Sequence, residues 1–462
     1  MTIAREKIGE IVYRVYVYRD GKLVTNPEGE ANIADFIIGV EVVESITSAT
    51  IEIKLVVQDA AGAIGAFTGS EQLKIQLVSP IIDRTYFVRS YEIVSRVRDT
   101  SGQDMFMLNC CSDEFVKNEI NNVFGHSHVV FGGKTESSEI VKQVLQDKRF
   151  LQSKKNIFLE ETINKQQFVA TNWRPFDTIY WLAQRSIRKA KKGGNLQNGF
   201  CFWENALGYN FQSIDKMIAD VNEQKETKSN WKKGEAQLYT YTYSQKNTEE
   251  SGDDQYRIES LVFPEERNFL SGLRHGTWSG FSVGFDPVTI TSSKFGLSTD
   301  MSVDAYRYGI KELWPTMEHL NSKKTKNPIA FMDSQIQTMT DYPKRVRYSA
   351  MSNQIFDQKY KNNPQKNYEE LVELQAYQYM RIESIKNFKL LITVPGNLDL
   401  YAGKGVNLVV PGTFKSPGRM QIDKRYSGRY LIASVAHKIA GGNQHKTELV
   451  LLKDSILPPN AG

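Results

Sequence analysis

Cysteine is scarce: the 462 residues hold three, the adjacent Cys110 and Cys111 and the distant Cys201. That excludes a disulfide-stapled scaffold, and no Cys-x-x-Cys pair offers a zinc-type spacing. A reducing cytoplasm is the expected place of synthesis. Long apolar runs are missing as well. No window approaches the roughly 18 uncharged apolar residues of a membrane-spanning helix. The opening MTIAREKIGEIVYRVYVYRD scatters charges where a signal peptide has its apolar segment. The expectation is a chain neither exported by a signal peptide nor stably inserted in a membrane. Charge of one sign is also lacking: 58 Lys and Arg against 53 Asp and Glu leave a formal +5, too mild on this length to argue for nucleic acid.

Catalytic signatures are absent too. There is no Gly-x-Ser-x-Gly elbow, no His-Glu-x-x-His and no Cys/His/Asn set at a recognised spacing. The nearest approach is HVVFGGKT, His128 to Thr135, which ends like a phosphate-binding loop. His128 stands where the first glycine must be, and Val129, Val130 and Phe131 fill positions that have to fold tightly round phosphate oxygens. His126 and His128 lack a third ligand nearby. The acidic pairs Glu160–Glu161, Glu249–Glu250 and Asp253–Asp254 lie in hydrophilic stretches that read as solvated. The expectation is no enzyme, with no catalytic, cofactor-binding or metal-binding residue.

What is present is alternation. In IVYRVYVYR, Ile11, Tyr13, Val15 and Val17 share a face, and in TIEIKLVV so do Ile51, Ile53, Leu55 and Val57, the period of a sheet with one wet side. From Ser112 the period turns helical: Val116, Ile120, Val123 and Phe124 align, then Ile140, Val141, Val144 and Leu145. A third helix opens at Pro175 with Asp177 in its first turn. Arg185, Arg188, Lys189, Lys191 and Lys192 fall toward its negative end, before Gly193 and Gly194. Strands return at GFCFWENALGYNFQSID, and a last helix, NYEELVELQAYQYMRIESI, leads into the terminal strands. One pattern occurs twice. LKIQLVSP, YFVRSYEIVS and DTSGQDMFMLN, from Leu73 to Asn109, are answered by GVNLVVPG, YLIASVAHKI and AGGNQHKTELVLL, from Gly405 to Leu452. Each set is a strand closing on proline, a strand led by tyrosine, and a turn feeding an apolar strand.

GFCFWENALGYNFQSID, RPFDTIYWLAQRS, ITVPGNLDLYAGKGVNLVVPG and SGRYLIASVAHKIAGGNQHKTELVLLKD, with TIEIKLVVQDAAG and GSEQLKIQL ahead of them, form an ordered set. This set resembles the central baseplate hub protein of contractile-tailed phages, the T-even type, related to phage tail proteins and type VI secretion spikes with the same two-barrel core. The resemblance implies an α+β, mainly β chain with two similar antiparallel tail-tube-like β-barrel domains and α/β insertions between and within them. It implies a structural homotrimer whose ring adapts a sixfold tail tube, or tube initiator, to a threefold central spike. Other baseplate proteins would be partners, and DNA would pass through the channel without sequence-specific binding. The place would be the tail baseplate of a virion made in a host bacterial cytoplasm.

Chain length suggests about three domains. The boundaries expected are a first barrel over 1–111, an α/β domain over 112–198 and a second barrel split between 199–221 and 386–457. An insertion with its connecting helix would span 222–385, and 458–462 would be a tail. Two readings from other classes stand beside the hub. One is a tail-associated cell-wall hydrolase, which clearing of peptidoglycan would reveal. The other is a single-strand nucleic-acid binder using aromatic strands for stacking, which a salt-dependent gel shift would reveal.

Overall fold

The structure is a computed structural model. It describes residues 10–25, 29, 31–59, 67–80, 82–98, 100, 102–123, 130–189, 197–226, 237–244, 252–264, 268–286, 291–292, 306–321, 325–342, 345–350, 359, 362, 364–412, 422–441 and 444–457. The first seven strands are β1 (Val12–Arg19), β2 (Lys22–Leu23), β3 (Ile37–Ser45), β4 (Glu52–Asp59), β5 (Gln72–Val78), β6 (Asp83–Arg98) and β7 (Asp104–Ser112). Their alternating residues do what the period requires. Val15, Val17, Val42, Ile53, Leu55, Leu73, Ile75, Tyr86, Val88 and Leu108 point into one core.

Between the barrels lies a mixed α/β unit. It holds α1 (Asp113–Ile120), β8 (Val130–Glu136), α2 (Ser137–Gln146), β9 (Ile157–Leu159), β10 (Lys165–Val169), α3 (Pro175–Ala183), β11 (Phe200–Asn205) and β12 (Gly208–Ser213). α2 buries Ile140, Val141, Val144 and Leu145, the face its spacing predicts. α1 departs from its pattern: Ile120 is exposed, and the buried positions are Glu114 and Asn118. Lys155 reaches Glu114 at 2.7 Å, and Asn118 accepts a hydrogen bond from the Phe176 amide at 2.8 Å, which satisfies both polar groups. The cations expected at the end of α3 lie beyond it. Arg188 forms a buried pair with Glu160 at 2.6 Å, and Arg185 stacks over Trp181 at 4.1 Å. Lys191, Lys192, Gly193 and Gly194 fall outside the described residues.

After α4 (Ile214–Glu223) come β13 (Lys225–Glu226), β14 (Gln237–Thr242), β15 (Ser260–Val262), α5 (Phe269–His275), β16 (Ser279–Asp286), β17 (Thr291–Ser292), β18 (Tyr306–Gly309) and β19 (Arg345–Ala350). A long helix, Pro364–Ile385, precedes β20 (Phe388–Pro395), β21 (Gly405–Val409), β22 (Gly428–Ala440) and β23 (Gln444–Lys453). The second barrel packs Tyr239, Tyr241, Leu390, Ile392, Val394, Leu408, Tyr430, Ile432, Val435, Leu449 and Leu451.

Two expectations about the second barrel are corrected by the strand pairing. Residues 199–221 do not open it, because β11 and β12 pair with β9 in a separate three-stranded sheet and pack with α2 and α3. Its early strands lie instead inside 222–385: β14 runs parallel to β21, and β15 antiparallel to β20. β16 to β19 form their own four-stranded sheet. Both barrels belong to one 14-stranded sheet, joined where β22 meets β3.

Candidate assembly interface

The duplicated segments occupy matching strands. Tyr86 on β6 stands opposite Ile75 on β5, and Tyr430 on β22 stands opposite Val406 on β21. Ile75 precedes Pro80 by the same interval as Val406 precedes Pro411. Both tyrosines are buried, each in its own barrel core. The correspondence then runs across whole ladders. Glu92 and Ala436, equally far beyond the two tyrosines, face Asn109 and Glu448. Asn109 and Glu448 face Lys54 and Thr393 on their other side. Lys54 and Thr393 in turn face Glu41 and Ser260. β6, β7, β4 and β3 are therefore matched in order and direction by β22, β23, β20 and β15. Local differences are bulges: one follows Ser90 in the first barrel and precedes Ser434 in the second, and the first barrel has further shifts between Val94 and Val97 and between Ile37 and Gly39.

The seam between the barrels is an antiparallel ladder from Ser434–Ser45 to Ala440–Gly39. The Ser434 hydroxyl donates to the Glu44 carbonyl at 2.8 Å. Glu44 points inward, and its carboxylate accepts from the Ala206 amide at 2.9 Å and the Ala402 amide at 3.1 Å. The side chain thus ties the seam to the β11–β12 turn and to the turn before β21. Burial pushes its pKa up to about 7, against the two amide bonds and the nearby Arg84. At that same turn Gly403 has φ 93°, and a Cβ there would meet the Trp203 ring at 2.8 Å, so glycine is needed. On the opposite, outer face of the seam Glu41 lies 3.6 Å from Lys54 and 3.8 Å from Lys438. Lys438 also reaches Glu448 at 2.7 Å, and Lys446 reaches Glu259 at 2.9 Å.

The segments weighed as enzyme sites do not converge. Gly132, Gly133, Lys134 and Thr135 lie in the strand β8, where Gly132 and Glu136 pair with Gln167 and Lys165 of β10 on either side of a register shift. His126, His128, Glu249 and Glu250 fall outside the described residues, as does the Asp253 side chain. Glu160 is buried and takes hydrogen bonds from Arg188 and from the Ser213 amide; Glu161 is exposed and pairs with Lys189. Asp254 pairs with Arg257 at 3.6 Å. Among the described residues no group of three or more His, Cys, Asp or Glu could hold a metal, and no helix is long and apolar enough to cross a membrane. Sequence reasoning missed the roles of β14, β15 and Glu44. The alternation of LYTYTY was the available signal for the first.

A mainly β chain with two matched barrels and an α/β unit between them has the fold of phage tail proteins. It is similar over 96% of its length to 97% of a tail protein from Neisseria meningitidis MC58, with TM-score 0.52 and 10% identity. It is similar to the same extent, 96%, to 99% of the 43 kDa tail protein of prophage MuSo2 from Shewanella oneidensis, with TM-score 0.52 and 8% identity. No family model and no curated protein matches the chain. At such identities the likeness is one of fold.

Proposed function

We propose that this chain is the central hub of a contractile phage tail baseplate, a structural and non-catalytic virion component made in the host bacterial cytoplasm. Three copies close into a ring. Six similar barrels then meet the tail tube protein or its initiator, while the assembly stays threefold toward the central spike and other baseplate proteins. DNA passes through the channel without sequence-specific binding. The observation that carries this reading is the ladder-by-ladder match of the two barrels, together with the β3–β22 seam that joins them head to tail within one chain. A heterologous joint used again between chains generates a closed ring when its rotation closes, and two related barrels per chain are the least that make six similar positions from three copies. The tail-protein fold supplies the setting.

Electron micrographs of the purified protein, alone and mixed with its tube protein, test the proposal. Threefold rings with six lobes that seed tube growth are expected. A protein that stays monomeric at high concentration, and forms no ring with tube or spike partners, would overturn it. So would clearing of peptidoglycan by the protein alone.

A further inference from the structure

The seam within the chain is a template for one between chains. In the first barrel β5 pairs with β6 only as far as Arg89, yet β6 runs on to Arg98. Among the described residues no strand covers that edge of β6 beyond Ser90. The matching stretch of β22 is the one that holds β3. In the second barrel the counterpart of β3 is β15, bonded to β20 on one edge and, among the described residues, to no strand on the other. Among the described residues each chain thus carries one unfilled copy of each half of its own seam.

Side chains agree with this. Tyr91 is 53% exposed and Phe263 44%, large apolar surface beside an open edge. Ile93 and Leu261 lean on their cores but are only half-buried. Their counterparts inside the chain, His437 and Val42, face each other in the completed seam at 1% and 0% exposure. The ends agree as well. The Ser90 amide is already taken by the Glu71 carbonyl at 2.9 Å, and β15 is followed at Pro264 by a residue with no amide hydrogen to offer. At the other end Arg96 and Arg98 both bind Asp104 at 2.6 Å, which closes the apolar run with charge.

We propose that β15 of one copy pairs antiparallel with the open edge of β6 of the next. Val262 lies opposite Glu92 and Leu261 opposite Ile93, while Tyr91 is the bulged residue of β6 and sits outside this register. The register is transferred from Val43–Ala436 and Val42–His437. This rests on the ring reading above and adds the edge, direction and register of the contact. The occupant is a second copy of this chain because only the equivalent strand is shown, within the molecule, to fit this edge.

The test is disulfide trapping in the full chain carrying Glu92→Cys and Val262→Cys, both exposed on the outer face. Burial pushes the thiols of Cys110, Cys111 and Cys201 up, which keeps them out of a mild oxidation at neutral pH. Covalent dimers and trimers on a non-reducing gel are expected from this pair. At least tenfold less is expected from Glu92→Cys with Leu261→Cys, whose side chains leave opposite faces of the sheet. If sedimentation shows trimers but the matched pair does not cross-link, the register is wrong and the ring reading survives. If the chain is monomeric and nothing cross-links, both fall. Should the cysteine variants misfold, hydrogen exchange on the unmodified protein decides. Protection of residues 91–94 and 260–263 in concentrated, ring-forming samples but not in dilute ones is expected, and trimers without that protection overturn the pairing.

Discussion

Glu44 is 1% exposed and holds two amides from distant segments, so its charge state acts on the seam. With its folded pKa raised to about 7, the folded protein binds a proton that the unfolded chain releases near about 4.3. Its stabilising contribution is complete below the unfolded value and is lost as pH rises through 7. Lys453, pushed down to about 7 by burial, and His437, pushed down to about 4 by burial, act in the opposite direction. The informative comparison is therefore between variants and not the slope alone. Melting of Glu44→Gln at pH 5 and pH 8 should show a smaller loss of stability toward high pH than the parent. A parallel pair of profiles would remove Glu44 from the account. Lys134 makes the contrasting case. It is exposed on β8, in a strand and not a phosphate loop. Lys134→Ala should change stability by no more than about 0.5 kcal/mol and leave ring formation intact. Nucleotide hydrolysis that vanishes in this variant would contradict the strand reading.

At the level of elements, periodicity read along the chain identifies β1, β4 and α2, because a period of two or 3.6 follows from backbone geometry alone, and the repeated tyrosine-led pattern identifies β6 and β22. Partner choice was not legible in the same way. β11 and β12 read correctly as an aromatic hairpin, but the pattern says only that a face is buried, not that it faces α3 through Phe176 and Phe202 instead of the second barrel. LYTYTY stands alone between charged stretches of the sequence, yet Tyr239 and Tyr241 lie in the barrel core because β14 adds parallel to β21, across a long separation in sequence. The face of α1 misled for a different reason, since a buried Glu114 is intelligible only once Lys155 is beside it. The seam was half visible, in the matched tyrosines, while Glu44 was an ordinary outlier in an alternating strand. One consequence concerns the region 222–364. Read as an insertion, it should be removable with a short linker. The structure makes the opposite outcome the expected one, since the cut would take β14 and β15 from the barrel and would also strip Leu320 and His319 from the buried Asp454. Circular dichroism and thermal melting should show loss of the cooperative transition. A deletion protein that melts like its parent would mean that these ladders contribute nothing essential.

On the scale of the assembly, the outer face of the shared sheet determines how DNA would be treated if that face lines a channel. A wall bearing free lysines would neutralise phosphates, release counterions and hold DNA, with an affinity that falls steeply with salt. Here the lysines of the seam are engaged by carboxylates on the same face: Lys54 and Lys438 by Glu41, Lys438 again by Glu448, and Lys446 by Glu259. Such exposed pairs add little to stability, about 0–1 kcal/mol each. Their effect on the field is larger, because cation and anion alternate within a few ångströms, well inside a screening length of about 8 Å at physiological salt. A passing phosphate then meets no net attraction, which suits a conduit better than a binding site. The expected result is weak retention of duplex or single-stranded DNA by the unmodified protein even at low salt. Replacing Glu41 and Glu448 together by glutamine removes the partners of Lys54 and Lys438 without changing side-chain size. Retention at low salt should then rise, and the slope of log affinity against log salt should steepen by about 0.9 for each lysine that reaches a phosphate on duplex DNA. Ring formation should be unchanged, since neither carboxylate lies in a core. If the double variant binds DNA no better than the parent while still forming rings, this face is not the one DNA meets, and the channel must be lined by other strands.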